Sequence, residues 1–524
     1  MTKKTLLFIL LLTTCLSIIS AQESLNVSLY AQYNRGEQRY SGSWYYTAED
    51  GTEYALLGAH DGTAIYRIME AGQLEEVAYI PGPQTNWREI TVVENHAYVV
   101  TDVSGIDNGM QVIRLDQLPE QATLVTNYNL TFTKGHIIQK DIFSDAPYVY
   151  IAGTTTTQGI HIMDVSDPEN PTEAGLYAPG YYIHDCHIRG DTMFASAFYE
   201  GTIDFVDISD KSHPTLITRM DIPDGKVHSS SMTMDGKFLF VAPEQDGLPA
   251  RLFNIEDFSD PVEVASYTAN PISLVHNPYI LGDFAFITHN TEGLRVVDIT
   301  DPTTPVEVGF YDTWPGESGG FNGLWSGCPY LPSGKIIGGN REDGLYVWEF
   351  NQTKAGRLYG TVVDSITNLP ISNAEIRLLE NDHVVYSSAL GEFRTGAVPG
   401  TYTLKVTAQG YPEKEITIDF DEESSAEVIL KLSNEITAIG LAQAGEEFNI
   451  FPNPFCQKTM IETRLDTKIK TIKIMDGSGK TIEIFHPGQT PYELNMEALP
   501  MGTYFLKAMD KNGESVAVRS LIKN

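Results

Sequence analysis

Gly293-Leu-Arg-Val-Val-Asp-Ile-Thr-Asp-Pro-Thr-Thr-Pro-Val-Glu-Val-Gly-Phe-Tyr311 decides the fold, because the chain writes the same phrase several times. Gly159-Ile-His-Ile-Met-Asp-Val-Ser-Asp-Pro168 leads to Thr172-Glu-Ala-Gly-Leu-Tyr177, and Gly201-Thr-Ile-Asp-Phe-Val-Asp-Ile-Ser-Asp210 leads to Pro214-Thr-Leu-Ile217. Gly247 leads likewise to Asp260-Pro-Val-Glu-Val-Ala-Ser-Tyr267. The unit recurs about every 45 residues and holds several short strands, the period of a β-propeller whose blades bury their faces only against one another. A glycine opens the third strand of each unit, at Gly62, Gly109, Gly159, Gly201, Gly247, Gly293 and Gly344, which predicts seven blades. Asp167-Pro168, Asp260-Pro261 and Asp301-Pro302 are turns: proline fixes φ, and the aspartate can bond to the backbone beyond it. The last unit stops at Trp348-Glu-Phe350, one strand short, while Asn26–Tyr33 is an orphan strand that matches Glu307–Tyr311. The first strand is therefore expected to complete the last blade and leave no open sheet edge.

At 524 residues the chain exceeds a single core, although a modular ring can itself be large. Residues 1–21 begin with Lys3 and Lys4, continue apolar from Leu6 to Leu12 and through Ile18-Ile19, and offer a cleavage point after Ala21. They read as a secretory signal too short to span a membrane, and no other long apolar run follows, so no transmembrane segment is expected after signal removal. Cys15, preceded by two threonines, lacks the small-residue context of a lipid-attachment site. Cys186, Cys328 and Cys456 remain, an odd number spread over two domains, which indicates no disulfide framework. The formal charge of −34 argues against nucleic acid and anionic membranes and for a highly soluble extracellular protein.

The expected architecture is all-β: a seven-bladed propeller over 22–350, then two small β-sandwich domains over 356–432 and 446–524. In the first sandwich, Gly356-Arg-Leu-Tyr-Gly-Thr-Val-Val-Asp364, Gly391-Glu-Phe-Arg394 and Pro399-Gly-Thr-Tyr-Thr-Leu-Lys-Val406 alternate apolar and polar residues between glycine and proline turns. These phrases resemble the carboxypeptidase regulatory-like, transthyretin-shaped domain. It carries no exposed tryptophan pair for sugars, so a passive spacer is expected. The tail, from Phe448-Asn-Ile-Phe-Pro-Asn-Pro-Phe455 to Leu499-Pro-Met-Gly-Thr-Tyr-Phe-Leu-Lys507 and Val516-Ala-Val-Arg-Ser-Leu-Ile-Lys523, resembles the C-terminal sorting domain of the type IX (Por) secretion system. That resemblance implies a Gram-negative bacterium of the Bacteroidota, the type IX machinery as partner, clipping of the tail, and a secreted or outer-membrane-surface location. The glycosylation sequons at Asn26 and Asn129 then carry little weight. Leu294-Arg-Val-Val-Asp-Ile299 with Asp301-Pro302, and the phrases Trp87-Arg-Glu-Ile90, Ile183-His-Asp-Cys-His187, Val227-His-Ser-Ser230 and Val275-His-Asn-Pro278, resemble the LVIVD-repeat family; with the sorting tail the arrangement is similar to "choice-of-anchor B" extracellular proteins. The resemblance implies architecture and location, and no reaction.

Function is left to the residues. Aligned by the first turn, the units carry Arg88, His136, His184, His228 and His276 at the start of the innermost strand, with Asn322 in the seventh. That position lies at the mouth of a propeller's channel. The loops between second and third strands open on the same face with His60, Asp61, Asp107, Glu200, Glu244, Asp246, His289, Glu292, Glu342 and Asp343. The candidate ligand-binding set is Arg88, His136, His184, Asp185, His228, Glu244, His276, Asn277 and Glu292. His184, His228 and His276 are the candidate ligands for a divalent metal cofactor, since such sites combine neutral nitrogen with anionic oxygen donors. Three uses compete for these groups: one structural hydrogen bond copied from blade to blade, a metal or acid/base centre, and a plain ligand mouth. The chain has no Gly-rich phosphate loop, no Gly-x-Ser-x-Gly elbow and no Cys/His zinc spacing. Asp102, Asp107 and Asn108 miss the spacing of a calcium loop and read as a solvated turn. Trp44, Tyr181 and Tyr182 are candidates for an aromatic platform. The reading is a binding module for an extracellular glycan, peptide or protein, with no nucleic-acid partner; the alternative is an extracellular metal-dependent hydrolase using the same funnel.

Overall fold

The structure, a computed structural model, describes residues 23–36, 39–105, 108–154, 156–433, 448–463, 469–476, 480–486, 491–513 and 515–524. The secretory signal and Asp107 lie outside them. No helix occurs among the described residues.

Seven antiparallel sheets, each built on four consecutive ladder positions, follow one another along the chain. Their innermost strands are Tyr40–Thr47, Arg88–Val93, Ile137–Gln139, Asp185–Arg189, Val227–Met232, Asn277–Leu281 and Leu324–Cys328, which number blades 1 to 7. Each innermost strand touches those of the two neighbouring blades, and the seventh touches the first, so the ring is closed. Apolar side chains fill the gaps between blades, as where Phe194 and Phe205 of blade 4 meet Leu239, Val241 and Phe253 of blade 5. Burial of this kind, at about 25 cal/mol per Å² of apolar surface, is what joins one blade to the next.

The repeated glycine has a steric cause. Gly293 sits at φ +73° with the site of an absent Cβ 2.2 Å from the Tyr311 carbonyl oxygen, and Gly344 at φ +87° with that site 2.3 Å from the Tyr33 oxygen. Any side chain there would collide with the end of the outermost strand. In every blade the register slips once between third and outermost strands, a bulge that deepens the twist.

Closure follows the expected route and adds a second attachment. Val27–Tyr33 pairs with Gly344–Phe350 as the outermost strand of blade 7. Just before it, Ser24–Leu25 pairs with Val306–Tyr311 and gives blade 6 a fifth strand. Asn26, at φ 55°, turns the chain from one blade to the other, and its side chain donates to Val308 O at 2.7 Å.

The first sandwich consists of a sheet of Glu392–Ala397, Gly356–Asp364 and Ser425–Leu432 facing one of His383–Tyr386, Glu375–Leu378, Gly400–Thr407 and Lys414–Phe420. The module expected as a passive spacer is fastened to blade 6. Asp298 and Asp301, the aspartates of the repeat phrase, receive it: Asp298 accepts from Ala355 N and Arg357 Nη2, both at 2.8 Å, and Asp301 from the Tyr359 hydroxyl at 2.6 Å. Arg357 also donates to Thr304 O at 3.2 Å, and Ala355 is fully buried. Val398 packs on the apolar cluster that contains Val306 and Phe350.

The tail forms a unit of its own. One sheet holds Phe448–Phe451, Lys458–Thr463 and Tyr492–Asn495; the other holds Thr481–Phe485, Thr471–Met475, Gly502–Met509 and Ser515–Lys523. Lys523 turns inward, its ammonium donating to Met496 O at 2.9 Å, to Glu497 O at 3.2 Å and to Leu499 O.

Candidate functional site

The innermost strands bring four histidines into one arc. Ring centroids of His136 and His184 lie 4.5 Å apart, His184 and His228 4.3 Å, and His228 and His276 4.4 Å. Trp325 of blade 7 extends the arc, 4.4 Å from His276. The seventh-blade counterpart is therefore Trp325 and not Asn322. Glu244 leans over the arc from blade 5, its Oε1 at 3.5 Å from His276 Nε2 and 3.8 Å from His228 Nε2. One ligand atom each of His184, His228 and Glu244 falls within 4.8 Å of the others.

Above the arc opens a cleft of about 440 Å³, within the usual size of a small-ligand site. His136, His184, Glu244, Asp102 and Lys134 form its polar floor; Trp87, Tyr182, Phe198, Tyr199, Phe321 and Trp325 form aromatic walls, with Arg341 beside them. Below the arc a narrow cavity of about 50 Å³ is lined by Ile137, Asp185, Ser229 and Asn277, which follow the four histidines, and by Glu89.

Burial sorts the charges of the two layers. It opposes charge on His136, yet the hydrogen bond to Asp102 at 3.1 Å and the nearby carboxylates of Asp102, Glu89 and Glu244 raise the imidazole above its ordinary value. Asp102, which burial alone would raise, is held below the carboxylate range by His136 and Lys134. Burial, aided by the neighbouring imidazoles, pushes His184 and His228 well down, which favours the neutral form of both rings. In the lower cavity burial pushes Glu89 up to about 7 and Asp185 up to about 6, although Glu89 accepts from the Trp325 indole at 3.0 Å and Asp185 from Gln139 at 3.1 Å.

The sequence-derived set thus divides. His136, His184, His228, His276 and Glu244 converge. Asp185 and Asn277 belong to the cavity beneath them. Arg88 does not reach the mouth: fully buried, it donates to Ala59 O, Pro83 O and Gln111 Oε1, acceptors that lie at the junction of blades 1 and 2. Glu292 is also elsewhere, beside Arg295 and accepting from Asn270 and Thr291. Among the other loop candidates, Asp61 accepts from Tyr79, Asp246 from Gly320 N, and His289 bonds to Ser273 and Ala269 N. Of the proposed platform, Tyr182 lines the cleft, Trp44 the lower cavity, and Tyr181 is tied to Asp204 and Arg219. Trp325, Glu89, Lys134 and Arg341 were not legible as site residues. An aromatic in blade 7 breaks a pattern of polar residues, and Glu89 stands one position after the Arg88 that aligned with the histidines.

Fold and site define a β-propeller with an ionisable channel mouth, carrying a docked sandwich and a separate tail. Family profiles match the LVIVD repeat over 143–178, 197–222 and 277–313, the carboxypeptidase regulatory-like domain over 357–433 and the secretion system C-terminal sorting domain over 449–524. The chain thus carries LVIVD repeats within its propeller and a C-terminal sorting domain that indicates export to the cell surface or beyond. Among curated proteins, Bacillopeptidase F of Bacillus subtilis (strain 168) is 32% identical over 82 residues, which are 15% of this chain and 6% of that protein. Among solved structures, the periplasmic gluconolactonase of Pseudomonas aeruginosa aligns at 13% identity and TM-score 0.41, covering 55% of this chain and 98% of its own. A candidate 6-phosphogluconolactonase from Bacteroides fragilis aligns at 12% identity and TM-score 0.45, covering 72% and 99%. No described helix is long and apolar enough to cross a membrane.

Proposed function

We propose that the protein is an exported binding module that holds an anionic extracellular glycan at the mouth of its channel. One observation carries the reading: in a chain of net charge −34, two cations rest on the aromatic rings of the cleft and make no ion pair among the described residues. Lys226 Nζ lies 5.1 Å from the Phe198 ring and 5.6 Å from that of Tyr199, and the Arg341 guanidinium 5.0 Å from that of Trp325. Cations so held are preorganised for a ligand carboxylate. Tyr199, 72% exposed, and Phe321, 47% exposed, offer flat faces to the C–H surfaces of a sugar.

The test is binding of the full chain to uronic-acid oligosaccharides and to their neutral counterparts by calorimetry. Salt-sensitive binding of the acidic sugars alone, weakened at least ~10-fold by Tyr199→Ala and by Arg341→Gln, is the expected result. Affinity untouched by both substitutions, or no preference for the acidic series, would overturn the reading. A second reading, hydrolysis at the same funnel, is favoured by the approach of His184, His228 and Glu244. Release of reducing ends from a bound glycan, abolished by a chelator, is its test.

A further inference from the structure

His276 fixes its own tautomer. Its Nδ1 lies 2.8 Å from the Trp325 carbonyl oxygen, which can only accept, and 3.0 Å from the Asn277 side-chain amide, which can turn its oxygen to the same proton; the shorter contact assigns the proton to Nδ1. In the neutral ring Nε2 is then a lone pair. That nitrogen is buried, has no hydrogen-bond partner, and faces Glu244 Oε1 at 3.5 Å. His228 Nε2 faces the same oxygen at 3.8 Å. A nitrogen lone pair aimed at a carboxylate oxygen repels it unless a proton or a metal cation lies between them.

We propose that a divalent transition-metal ion of the zinc class binds among His184, His228, His276 and Glu244. The donor set suits such an ion: imidazole nitrogens select borderline metals over calcium and magnesium, and one carboxylate supplies anionic charge. Bonds of about 2.0–2.1 Å in a tetrahedron place ligand atoms roughly 3.3–3.5 Å apart. The observed separations of 3.5 and 3.8 Å, with His184 inside the 4.8 Å group, need only small side-chain movements to meet this. The outer partner is also present, since the His276 Nδ1–H bond to a backbone carbonyl orients the ring as in established metal sites. His184 and Glu244 line the cleft, so the ion would sit at its floor. One carboxylate against a double positive charge leaves the floor cationic, which extends the glycan reading; ion uptake is nevertheless measured with no glycan present.

The experiment is metal analysis of the full chain by elemental mass spectrometry after exhaustive dialysis, followed by titration with Zn²⁺ and with Co²⁺, whose visible absorption reports a tetrahedral nitrogen–oxygen site. About one equivalent is expected. In Glu244→Gln and in His184→Gln uptake should weaken at least ~10-fold, with the circular dichroism and the metal-free unfolding midpoint unchanged. Should His184→Gln fail to fold, Glu244→Gln, altered at one atom on the cleft floor, decides. No stoichiometric uptake of Zn²⁺, Co²⁺, Ni²⁺ or Mn²⁺, or uptake indifferent to both substitutions, overturns the site. Glycan binding without metal uptake overturns the metal site alone; metal uptake without glycan binding overturns the glycan reading alone.

Discussion

At the scale of single residues, the lower cavity stores electrostatic cost that pH can release. Glu89 is pushed up to about 7 and Asp185 to about 6, so in the folded protein both keep a proton that the unfolded chain loses nearer pH 4 to 4.5. Folded carboxyls that hold protons longer favour folding at low pH. Their contribution declines as pH rises from about 4 to 7 and is constant above that, with a slope of at most ~1.4 kcal/mol per pH unit for each group. Glu89→Gln removes one titration, so its unfolding midpoint should fall less than that of the parent between pH 5 and pH 8; parallel pH profiles would show that Glu89 does not titrate in this range. Arg88 presents the opposite case, a buried cation satisfied by carbonyls. Arg88→Ala leaves those acceptors unpaired and should cost about 3–5 kcal/mol in chemical denaturation, whereas a loss below ~1 kcal/mol would mean that water replaces the guanidinium. The histidine arc was legible because one residue per repeat was enough to place it. Arg88 was misread because position in a repeat does not say which way a long side chain turns, and here blade 1, the loop after it and Gln111 of blade 2 offered it oxygens.

At the scale of elements, the strongest lesson is the sandwich on blade 6. Its β-pattern was plain in the sequence, whereas its attachment was not, because Arg357 and Tyr359 read as the outward residues of an ordinary strand. Asp298 is fully buried and held below the carboxylate range, burial being outweighed by Arg357 and the Ala355 and Thr300 amides. Arg357→Met strands that carboxylate and should destabilise the pair of modules by about 3–5 kcal/mol. Limited proteolysis checks it: cleavage within 351–355 should accelerate in Arg357→Met and recover in part when Asp298→Asn is added, while equal rates in all three would show that the ion pair does not hold the joint. The glycine positions, by contrast, were fully legible, since a side chain at Gly293 or Gly344 would strike the carbonyl of the strand beside it.

At the scale of the whole molecule, seven blades and a separate sorting unit divide the labour: the ring presents a site and the tail supplies an address. Deleting residues 449–524 should therefore retain the protein in the periplasm with its ring folded, which cell fractionation and thermal unfolding would show together; release into the medium at the parental level would mean that the tail is dispensable. Removing residues 23–33 strips the outer strand from blade 7 and the fifth strand from blade 6, and should lower the unfolding midpoint and yield aggregates in gel filtration. The blade number was legible because each repeat is a complete packing unit, while the double attachment of the first strand was not, since Ser24–Leu25 is too short to announce a strand.

That attachment also orders events in time. Asn26 and Asn351, 325 positions apart in the sequence, meet, so the contact at the seam joins the first strands of the ring to its last part. Loop-closure entropy must be overcome before such a contact is rewarded, which makes it a late and slow step. Until the seventh repeat has emerged, the first strand has no partner and the growing array keeps both ends adhesive. For an exported polypeptide the seam therefore keeps time: the ring is complete only once residues 344–350 are available to pair with residues 27–33.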